Sequence, residues 1–249
     1  MRTIASASAL LLGLLAAGCT GELVGGGQIP ARVVVVSGDM QFATVGTEVP
    51  QPLVVRVVDD RNRPVKNQLV NFVVTAGGGS VFAGSAITNA EGEARERWTL
   101  GTVAGDTQRV EARAVDPATG QALVFAVFRA VGTAAGAASI SAVQPTMSGQ
   151  PGTPIADSAA ALVRDQYGNP VPGVTVNWAV TSGGGSVSPA SSTTDAQGIA
   201  RARWTLGGSV ATPQTLRASA GASMSATFSA TAALGAGATL AIVSGDGQT

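Results

Sequence analysis

Apolar and polar residues alternate along most of the chain after residue 31. In residues 174–181, three valines and a tryptophan alternate with Thr, Asn, Ala and Thr, and residues 223–230 alternate in the same way. A period of two places one face of a β-strand in a core and the other in water. No stretch long enough for a helix carries a capped 3.6-residue apolar period. With turn signals between the runs, the pattern predicts about seven short strands per unit and an antiparallel β-sandwich.

The strand pattern occurs twice with a constant offset. Residues 46–101 align without a gap with residues 152–207, so that Pro64 and Trp98 reappear 106 positions later as Pro170 and Trp204. A repeat of about 100 residues is too long for a solenoid unit and has the size of a small autonomous domain. The sequence therefore predicts a tandem array of two sandwiches.

The repeat sets the expected domain boundaries. Domain 1 is expected at residues 31–132 and domain 2 at residues 137–232, with a short joint of small residues between them. A similar joint follows domain 2, and residues 237–249 resemble the first strand of domain 1. We expect a third domain to begin there and to be cut off after its first strand, and the number of domains beyond it stays open.

Three segments of the second repeat carry a family resemblance. They are Asp-Gln-Tyr-Gly-Asn-Pro-Val-Pro-Gly-Val at 165–174, Gly-Gly-Gly-Ser at 183–186 and Thr-Thr-Asp-Ala-Gln-Gly-Ile-Ala at 193–200. Together they resemble the bacterial immunoglobulin-like domain of group 1, the type found in invasin and intimin. The first repeat departs from the pattern in the turns at 60–64 and 89–92. The resemblance implies an all-β chain of tandem immunoglobulin-like antiparallel β-sandwiches, acting as a spacer or adhesive module at a bacterial surface.

Composition excludes several function classes. The 249 residues include no His and one Cys, and 15 basic residues balance 15 acidic ones. Without His there is no imidazole base or ligand, and one Cys forms neither an intrachain disulfide nor a Cys-cluster metal site. The balanced, scattered charge gives no footprint for nucleic acid. No nucleophile–base pair is discernible, so we expect no enzymatic activity, no metal and no cofactor.

The first residues have the features of an export signal. Met1 and Arg2 precede an apolar stretch at residues 4–17, which leads into Leu-Ala-Ala-Gly-Cys ending at Cys19. This resembles a bacterial lipoprotein signal, which implies cleavage after residue 18 and lipid on Cys19. Residues 19–30 are then a flexible tether, and the protein is expected in the cell envelope, at the outer membrane or cell surface. The alternative is an ordinary secretory signal in which Cys19 is incidental.

Repeated acidic and glycine-rich motifs have two interpretations each. Asp59, Asp165 and Asp195 would be ligands for a calcium ion at a domain joint, but an Asp beside Gly and Pro more often caps its own turn. The Gly-Gly-Gly-Ser segments at 77–80 and 183–186 lack the lysine and the helix of a phosphate loop. We expect turn caps in the first case and flexible connections between strands in the second.

Trp98 and Trp204 would form a sugar-stacking platform if they faced outward. Each shares strand parity with Ala and Leu, however, and alternates with polar residues, so both are expected in the core. Glu96 falls on the same inward parity where the second repeat has Ala202. Since an uncompensated buried carboxylate is too costly, it must lie at the sheet rim or mark the end of the strand.

The last strand of the first repeat has an unusual outward face. Leu123, Phe125 and Val127 stand where the second repeat has only Ser and Thr, and an insertion of six residues precedes them. An apolar outward face is a candidate contact surface. It would pack on the neighbouring domain or bind a partner, unless a loop of domain 1 covers it.

Three functions are compatible with these features. The first is a non-enzymatic lipoprotein, anchored to the membrane through Cys19, whose stacked domains form a surface stalk or adhesion scaffold. The second is a specific module for a protein or polysaccharide ligand, whose candidate exposed aromatic residues are Phe82, Phe125 and Tyr167. The third is a carrier for a distal domain beyond residue 249.

Overall fold

The structure is a computed structural model that describes residues 28–116 and 118–234. Every regular element in this part of the chain is a β-strand, so the predicted all-β class is confirmed. The strands form two sandwiches with separate hydrophobic cores. The expected signal peptide, Cys19, most of the tether and the first strand of a third domain lie outside the described residues.

Domain 1 consists of the first ten strands. A three-stranded sheet of order β1-β3-β7 packs on a five-stranded sheet of order β2-β10-β9-β4-β6, and β5 pairs with β8 at the side. All pairs are antiparallel except β2 with β10, which run parallel. The strands are β1 (Arg32–Ser37), β2 (Gln41–Thr44), β3 (Leu53–Val58), β4 (Leu69–Ala76), β5 (Gly79–Val81), β6 (Ser85–Ile87), β7 (Glu93–Glu96), β8 (Trp98–Leu100), β9 (Thr107–Val115) and β10 (Ala122–Thr133).

Domain 2 repeats this topology. Its sheets have the orders β11-β13-β17-β15 and β12-β19-β18-β14-β16, and β12 runs parallel to β19 as β2 does to β10. The chain passes from domain 1 to domain 2 in three residues, because β10 ends at Thr133 and β11 begins at Ala137. The strands are β11 (Ala137–Ala142), β12 (Thr146–Gly149), β13 (Ala159–Asp165), β14 (Thr175–Ser182), β15 (Gly185–Ser188), β16 (Ser191–Thr193), β17 (Ile199–Leu206), β18 (Gln214–Ala220) and β19 (Met224–Ala232).

Both repeated tryptophans lie in the cores. Trp98 and Trp204 are fully buried, which confirms the prediction from strand parity and removes them as a sugar platform. In domain 2, Trp178 lies against Phe228 with the ring centroids 5.8 Å apart. Most of the remaining core is Val, Ala and Leu, and such small side chains suit two closely packed sheets.

The structure shows how the carboxylate of Glu96 is accommodated at an inward strand position. Strand β7 ends at this residue, and the buried carboxylate accepts hydrogen bonds from the backbone N–H groups of Ala83, Gly84 and Arg97, at distances from 2.7 to 3.2 Å. The charge is therefore compensated by backbone dipoles. In domain 2, where Ala202 stands instead, β17 continues without a break.

The Gly-Gly-Gly-Ser segments connect strands as expected, but only their first two glycines lie between the strands and their packing is tight. Strand β5 begins at Gly79 itself, and a Cβ atom there would lie 2.3 Å from the carbonyl oxygen of Thr99. A Cβ atom on Gly77 would lie 2.3 Å from the side chain of Gln108. Glycine is required because two backbone segments and a buried side chain meet within van der Waals distance, and the same contacts occur at Gly183 and Gly185.

Candidate functional site

The end of domain 2 that faces domain 1 is built on a turn capped by Asp165. The Oδ1 atom of Asp165 accepts the backbone N–H groups of Tyr167 and Asn169 at 2.9 and 2.8 Å. Gly168 between them has φ +88°, which a residue with a side chain rarely adopts. This Asp-x-x-Gly-Asn sequence therefore folds locally into a turn that presents Asn169 at its tip.

Asn169 joins the two domains through both ends of its side-chain amide. Its Nδ2 atom donates to the carbonyl oxygen of Thr102 at 2.8 Å, and its Oδ1 atom accepts the backbone N–H of Ala104 at 3.0 Å. The residue is 9% exposed, so these hydrogen bonds are largely shielded from water. A side-chain amide reproduces the donor and acceptor of a peptide group, and it binds the loop of domain 1 as a neighbouring strand would.

Asp165 ties the linker to the same turn. Its Oδ2 atom accepts the backbone N–H of Ala135 at 2.9 Å and the Nδ2 group of Asn169 at 2.9 Å. Burial of the carboxyl group opposes its ionisation, but the hydrogen bonds from the Asn169 side chain and from the backbone of Ala135, Asn169 and Tyr167 outweigh burial and lower the pKa of Asp165 below its usual value. The negative charge thus holds the linker and orients the amide that crosses the joint.

A buried glutamine shapes the loop of domain 1 that Asn169 binds. Gln108 is fully buried, and its Oε1 atom accepts the backbone N–H of Gly101 at 2.7 Å. Its Nε2 atom faces the carbonyl oxygen of Val103 at 3.4 Å. Gln108 therefore holds residues 101–104 from the core side of domain 1. The Thr102 carbonyl group and the Ala104 N–H group are left to bind domain 2.

Tyr167 adds a steric contact to the joint. A Cβ atom on Gly46 of domain 1 would lie 2.5 Å from the tyrosine hydroxyl oxygen, so the ring edge approaches the glycine backbone closely. Beside it, Phe42 of domain 1 lines one groove together with Pro170 and Pro172 of domain 2. The joint thus combines the two hydrogen bonds of Asn169 to domain 1 with the close approach of Tyr167 to Gly46.

The corresponding turn of domain 1 is occupied differently. Asp59 caps it through the N–H groups of Arg61 and Arg63, at 3.0 and 2.8 Å, as Asp165 does in domain 2. Arg63 stands in the place of Asn169, and its Nε and Nη2 atoms donate to Oδ2 of Asp59 at 2.8 and 2.7 Å. Arg63 thereby occupies Oδ2 of Asp59, whereas in domain 2 the corresponding Oδ2 atom of Asp165 accepts the N–H group of the linker.

The aspartates considered as calcium ligands all cap turns. Asp195 accepts the N–H groups of Gln197 and Ile199 at 3.0 and 2.9 Å, in the same manner as Asp59 and Asp165. Within residues 28–116 and 118–234 no group of three or more His, Cys, Asp or Glu side chains has an arrangement that could hold a metal ion. The described part of the chain also has no helix that could cross a membrane.

The apolar face of β10 is open to solvent. Leu123 is 45% exposed and Phe125 is 59% exposed, while Val127 is half-buried. Phe125 lies opposite Arg113 and Val127 opposite Glu111 on β9, and these two charged residues form an ion pair of 2.7 Å. The face lies toward the start of β10, whereas its end at Thr133 leads into the joint, and it remains a candidate contact surface.

The three candidate aromatic residues lie on different elements. Phe82 follows β5 and is 77% exposed, with the guanidinium group of Arg97 4.7 Å from its ring centroid. Tyr167 lies in the joint and Phe125 on β10. The structure therefore assigns them separate surroundings instead of one stacking platform.

Sequence reasoning missed Gln108 and the crossing role of Asn169. A signal for Gln108 was present, because a polar residue occupies an inward strand position and recurs as Gln214 at the repeat offset of 106. By sequence, Asn169 is an ordinary turn residue. Its hydrogen-bond partners in domain 1 become apparent only from the approach of the second domain.

Comparison with known proteins places domain 2 in a family. Residues 155–233 match the family model described as the bacterial Ig-like domain (group 1). Domain 2 is a bacterial Ig-like domain of group 1. The matched residues include the Asp-capped turn with Asn169, in agreement with the resemblance read from these segments. No curated protein sequence matches the chain significantly.

Solved structures of bacterial proteins resemble this chain to different degrees. FdeC, an adhesin of Escherichia coli, matches with a TM-score of 0.54 and 19% identity, over 81% of this chain and 63% of that chain. The chain thus spans less than two-thirds of the FdeC structure. InvD of Yersinia pseudotuberculosis matches with a TM-score of 0.47 and 16% identity, over 86% of this chain and 60% of that chain.

Proposed function

We propose that this chain is a non-enzymatic structural protein of the bacterial cell envelope, in which tandem Ig-like domains form a surface stalk or adhesion scaffold. The observation that carries the proposal is the joint, where Asn169 and Asp165 make direct hydrogen bonds to domain 1 and to the linker. A stalk needs a defined angle between its domains, and a passive linker does not. The fold of the adhesin FdeC, which resembles this one, supports the adhesive context.

Small-angle X-ray scattering tests the stalk directly. The chain from Thr20 onward, without lipid, is expected to scatter as one elongated particle with two sandwiches of roughly 40 Å each, end to end. A profile that requires a broad ensemble of domain orientations would contradict the stalk. Multi-angle light scattering on the same sample controls for dimers, which also lengthen a particle.

The proposal includes anchoring through lipid on Cys19. Several acyl chains on one residue give stable attachment, since each buried methylene contributes about 0.8 kcal/mol and one chain alone is marginal. Full-length protein expressed in a bacterial host is expected to incorporate labelled fatty acid and to fractionate with membranes. The Cys19→Ala variant should do neither, and a variant that still labels would refute Cys19 as the acceptor.

A second candidate is a specific binding module, and the exposure of Leu123 and Phe125 favours it. The ligand would be a protein with an apolar patch, since the face offers two apolar side chains beside the Glu111–Arg113 ion pair. The two candidates are compatible, because a stalk presents whatever its domains bind. A third candidate is a carrier for a distal domain. It depends on whether the end of domain 2 that lies away from domain 1 binds another domain.

A further inference from the structure

The loop of domain 1 that binds Asn169 has a counterpart at the end of domain 2 that points away from domain 1. Residues 207–210 correspond to residues 101–104 at the repeat offset of 106. Beneath them, the Oε1 atom of Gln214 accepts the N–H of the first loop residue at 2.6 Å, and its Nε2 atom donates to the carbonyl oxygen of the third at 3.1 Å. Gln108 makes the same two contacts at 2.7 and 3.4 Å. A buried glutamine therefore shapes both loops in one way.

The outward backbone groups of this second loop are available for binding. The carbonyl group of Gly208 and the N–H group of Val210 correspond to the groups of Thr102 and Ala104 that bind Asn169. Neither has a hydrogen-bond partner among residues 28–116 and 118–234, and the side chain of Val210 is 50% exposed. One unpaired acceptor and one unpaired donor thus lie two residues apart in the loop, at the positions whose counterparts in domain 1 bind the side-chain amide of Asn169.

The chemistry of the partner follows from comparing Asn169 with Arg63. An amide donates to the carbonyl group and accepts from the N–H group of the loop. A guanidinium group has five donors and no acceptor, so it would leave the loop N–H unpaired. In domain 1, moreover, Arg63 is bound to Asp59, which occupies the acceptor that would hold a preceding linker.

We propose that residues 207–210 are a docking surface for a further Ig-like domain whose Asp-capped turn ends in asparagine, as Asp165 and Asn169 do. A domain with arginine at that position, as in domain 1, does not dock there. The sequence that follows β19 is suited to such a joint, because residues 233–236 are Ala, Leu, Gly and Ala and occupy the positions of the small residues 133–136. The proposal rests on the stalk function, in that both use the same type of joint, and it does not require lipid on Cys19.

The test adds a domain of the required type to the chain. Residues 133–234 are appended after residue 232 of the chain from Thr20, so that a second copy of domain 2 follows the first through its own linker. Spin-label pairs at Arg109→Cys with Thr227→Cys report on the existing joint. A pair at Thr215→Cys with the Thr227 position of the appended copy reports on the new joint, since Thr215 is the counterpart of Arg109. Cys19 is absent from this chain, so only the introduced cysteines are labelled.

Double electron–electron resonance should give a narrow distance distribution at both joints. Asn169→Arg in the appended copy alone should broaden the new joint and leave the existing one narrow, with the melting temperature of each domain unchanged. A broad new joint beside a narrow existing one would overturn the docking surface and leave the stalk intact, whereas broad distributions at both joints would overturn both. A new joint equally narrow with asparagine and arginine would overturn the requirement for an amide. Val210→Pro, which removes the loop N–H group, provides an independent variant and should broaden only the new joint.

Discussion

The side-chain amide of Asn169 donates a hydrogen bond to the carbonyl oxygen of Thr102 over 2.8 Å, across the boundary between the two domains. With the reciprocal bond from the N–H group of Ala104, one side chain of domain 2 occupies both a donor and an acceptor of domain 1. A turn that is common in sequence therefore also makes a direct connection between the two sandwiches.

Asn169→Ala should loosen the joint without unfolding either domain. It removes two interdomain hydrogen bonds, each contributing about 0.5–1.5 kcal/mol net. The Thr102 carbonyl group and the Ala104 N–H group then bind water instead. NMR relaxation should show the two domains tumbling with different correlation times in the variant and with a common one in the parent chain. Asn177→Ala, at an exposed site on β14, is the matched control and should change nothing. Common tumbling in Asn169→Ala would contradict the role of this residue.

Gly46→Ala should disturb the joint, whereas Gly152→Ala should not. Both glycines have φ near +70°, so alanine costs each domain a similar roughly 1–2 kcal/mol of backbone strain. Only at Gly46 does the added Cβ atom meet another domain, at 2.5 Å from the Tyr167 hydroxyl, since nothing lies within 4 Å of the corresponding point at Gly152. Scattering profiles should therefore change for the first variant alone. Adding Tyr167→Ala to Gly46→Ala should restore the domain angle, and a failure to do so would refute the steric explanation.

Gln108→Leu should destabilise domain 1 and the joint together. Leucine fills similar space but leaves the N–H group of Gly101 buried without an acceptor, a loss of about 1–3 kcal/mol. Chemical denaturation measures the stability, and NMR relaxation measures the joint. Gln214→Leu has the same local effect in domain 2 and should leave the existing joint as it is. Equal loosening by both variants would indicate that general instability, not the loop at 101–104, controls the joint.

Acid should weaken the joint through Asp165. Because the folded-state pKa of this carboxyl group lies below its unfolded value of about 3.9, its stabilising contribution is complete above that pH and is lost as the pH falls through the folded-state pKa. The interdomain distance distribution should broaden in that range. Asp165→Asn places an amide donor against the N–H group of Ala135, so its joint should already be loose at pH 7 and should respond little to acid.

Asp195→Asn is the control for this pH dependence. Asp195 also has a lowered pKa, caused by hydrogen bonds from the backbone N–H of Ile199 and from Arg201, but these partners all lie within domain 2. In domain 1, Asn89 makes the equivalent turn, so asparagine is compatible with the fold. The joint of this variant should keep the acid response of the parent chain. Loss of the response would show that Asp195, and not Asp165, causes it.

The double variant Leu123→Ser with Phe125→Ser should keep the stability of domain 1 and lose its apolar contact surface. Both side chains are largely exposed, and surface substitutions usually change stability by less than about 0.5 kcal/mol per site. The variant has the residues that domain 2 carries at the corresponding positions, Ser223 and Ser225. Adhesion of cells that display the chain to cultured epithelial cells should fall if this face binds a protein ligand. Unchanged adhesion would remove the face as the binding site.

Residues that are repeated or alternate in the sequence were sufficient to predict the fold. The period of two, the offset of 106 residues and the turn motifs predicted two β-sandwiches and buried Trp98 and Trp204. These features depend on local strand geometry and on the burial of apolar faces, which the order of residues specifies by itself. For Glu96 the sequence showed a carboxylate at an inward position and predicted that it lies at the sheet rim or at the end of the strand. The strand does end at that residue.

Tertiary structure alone decided the joint. Whether Asn169 serves only its own turn or also binds Thr102 depends on the approach of a loop 67 residues away, and no local pattern encodes that distance. The triple glycine is explained in the same way, since its tight packing requires the buried side chain of Gln108 from another strand. Local periodicity thus determined the two sandwiches, and contacts between segments distant in sequence determined how they are joined.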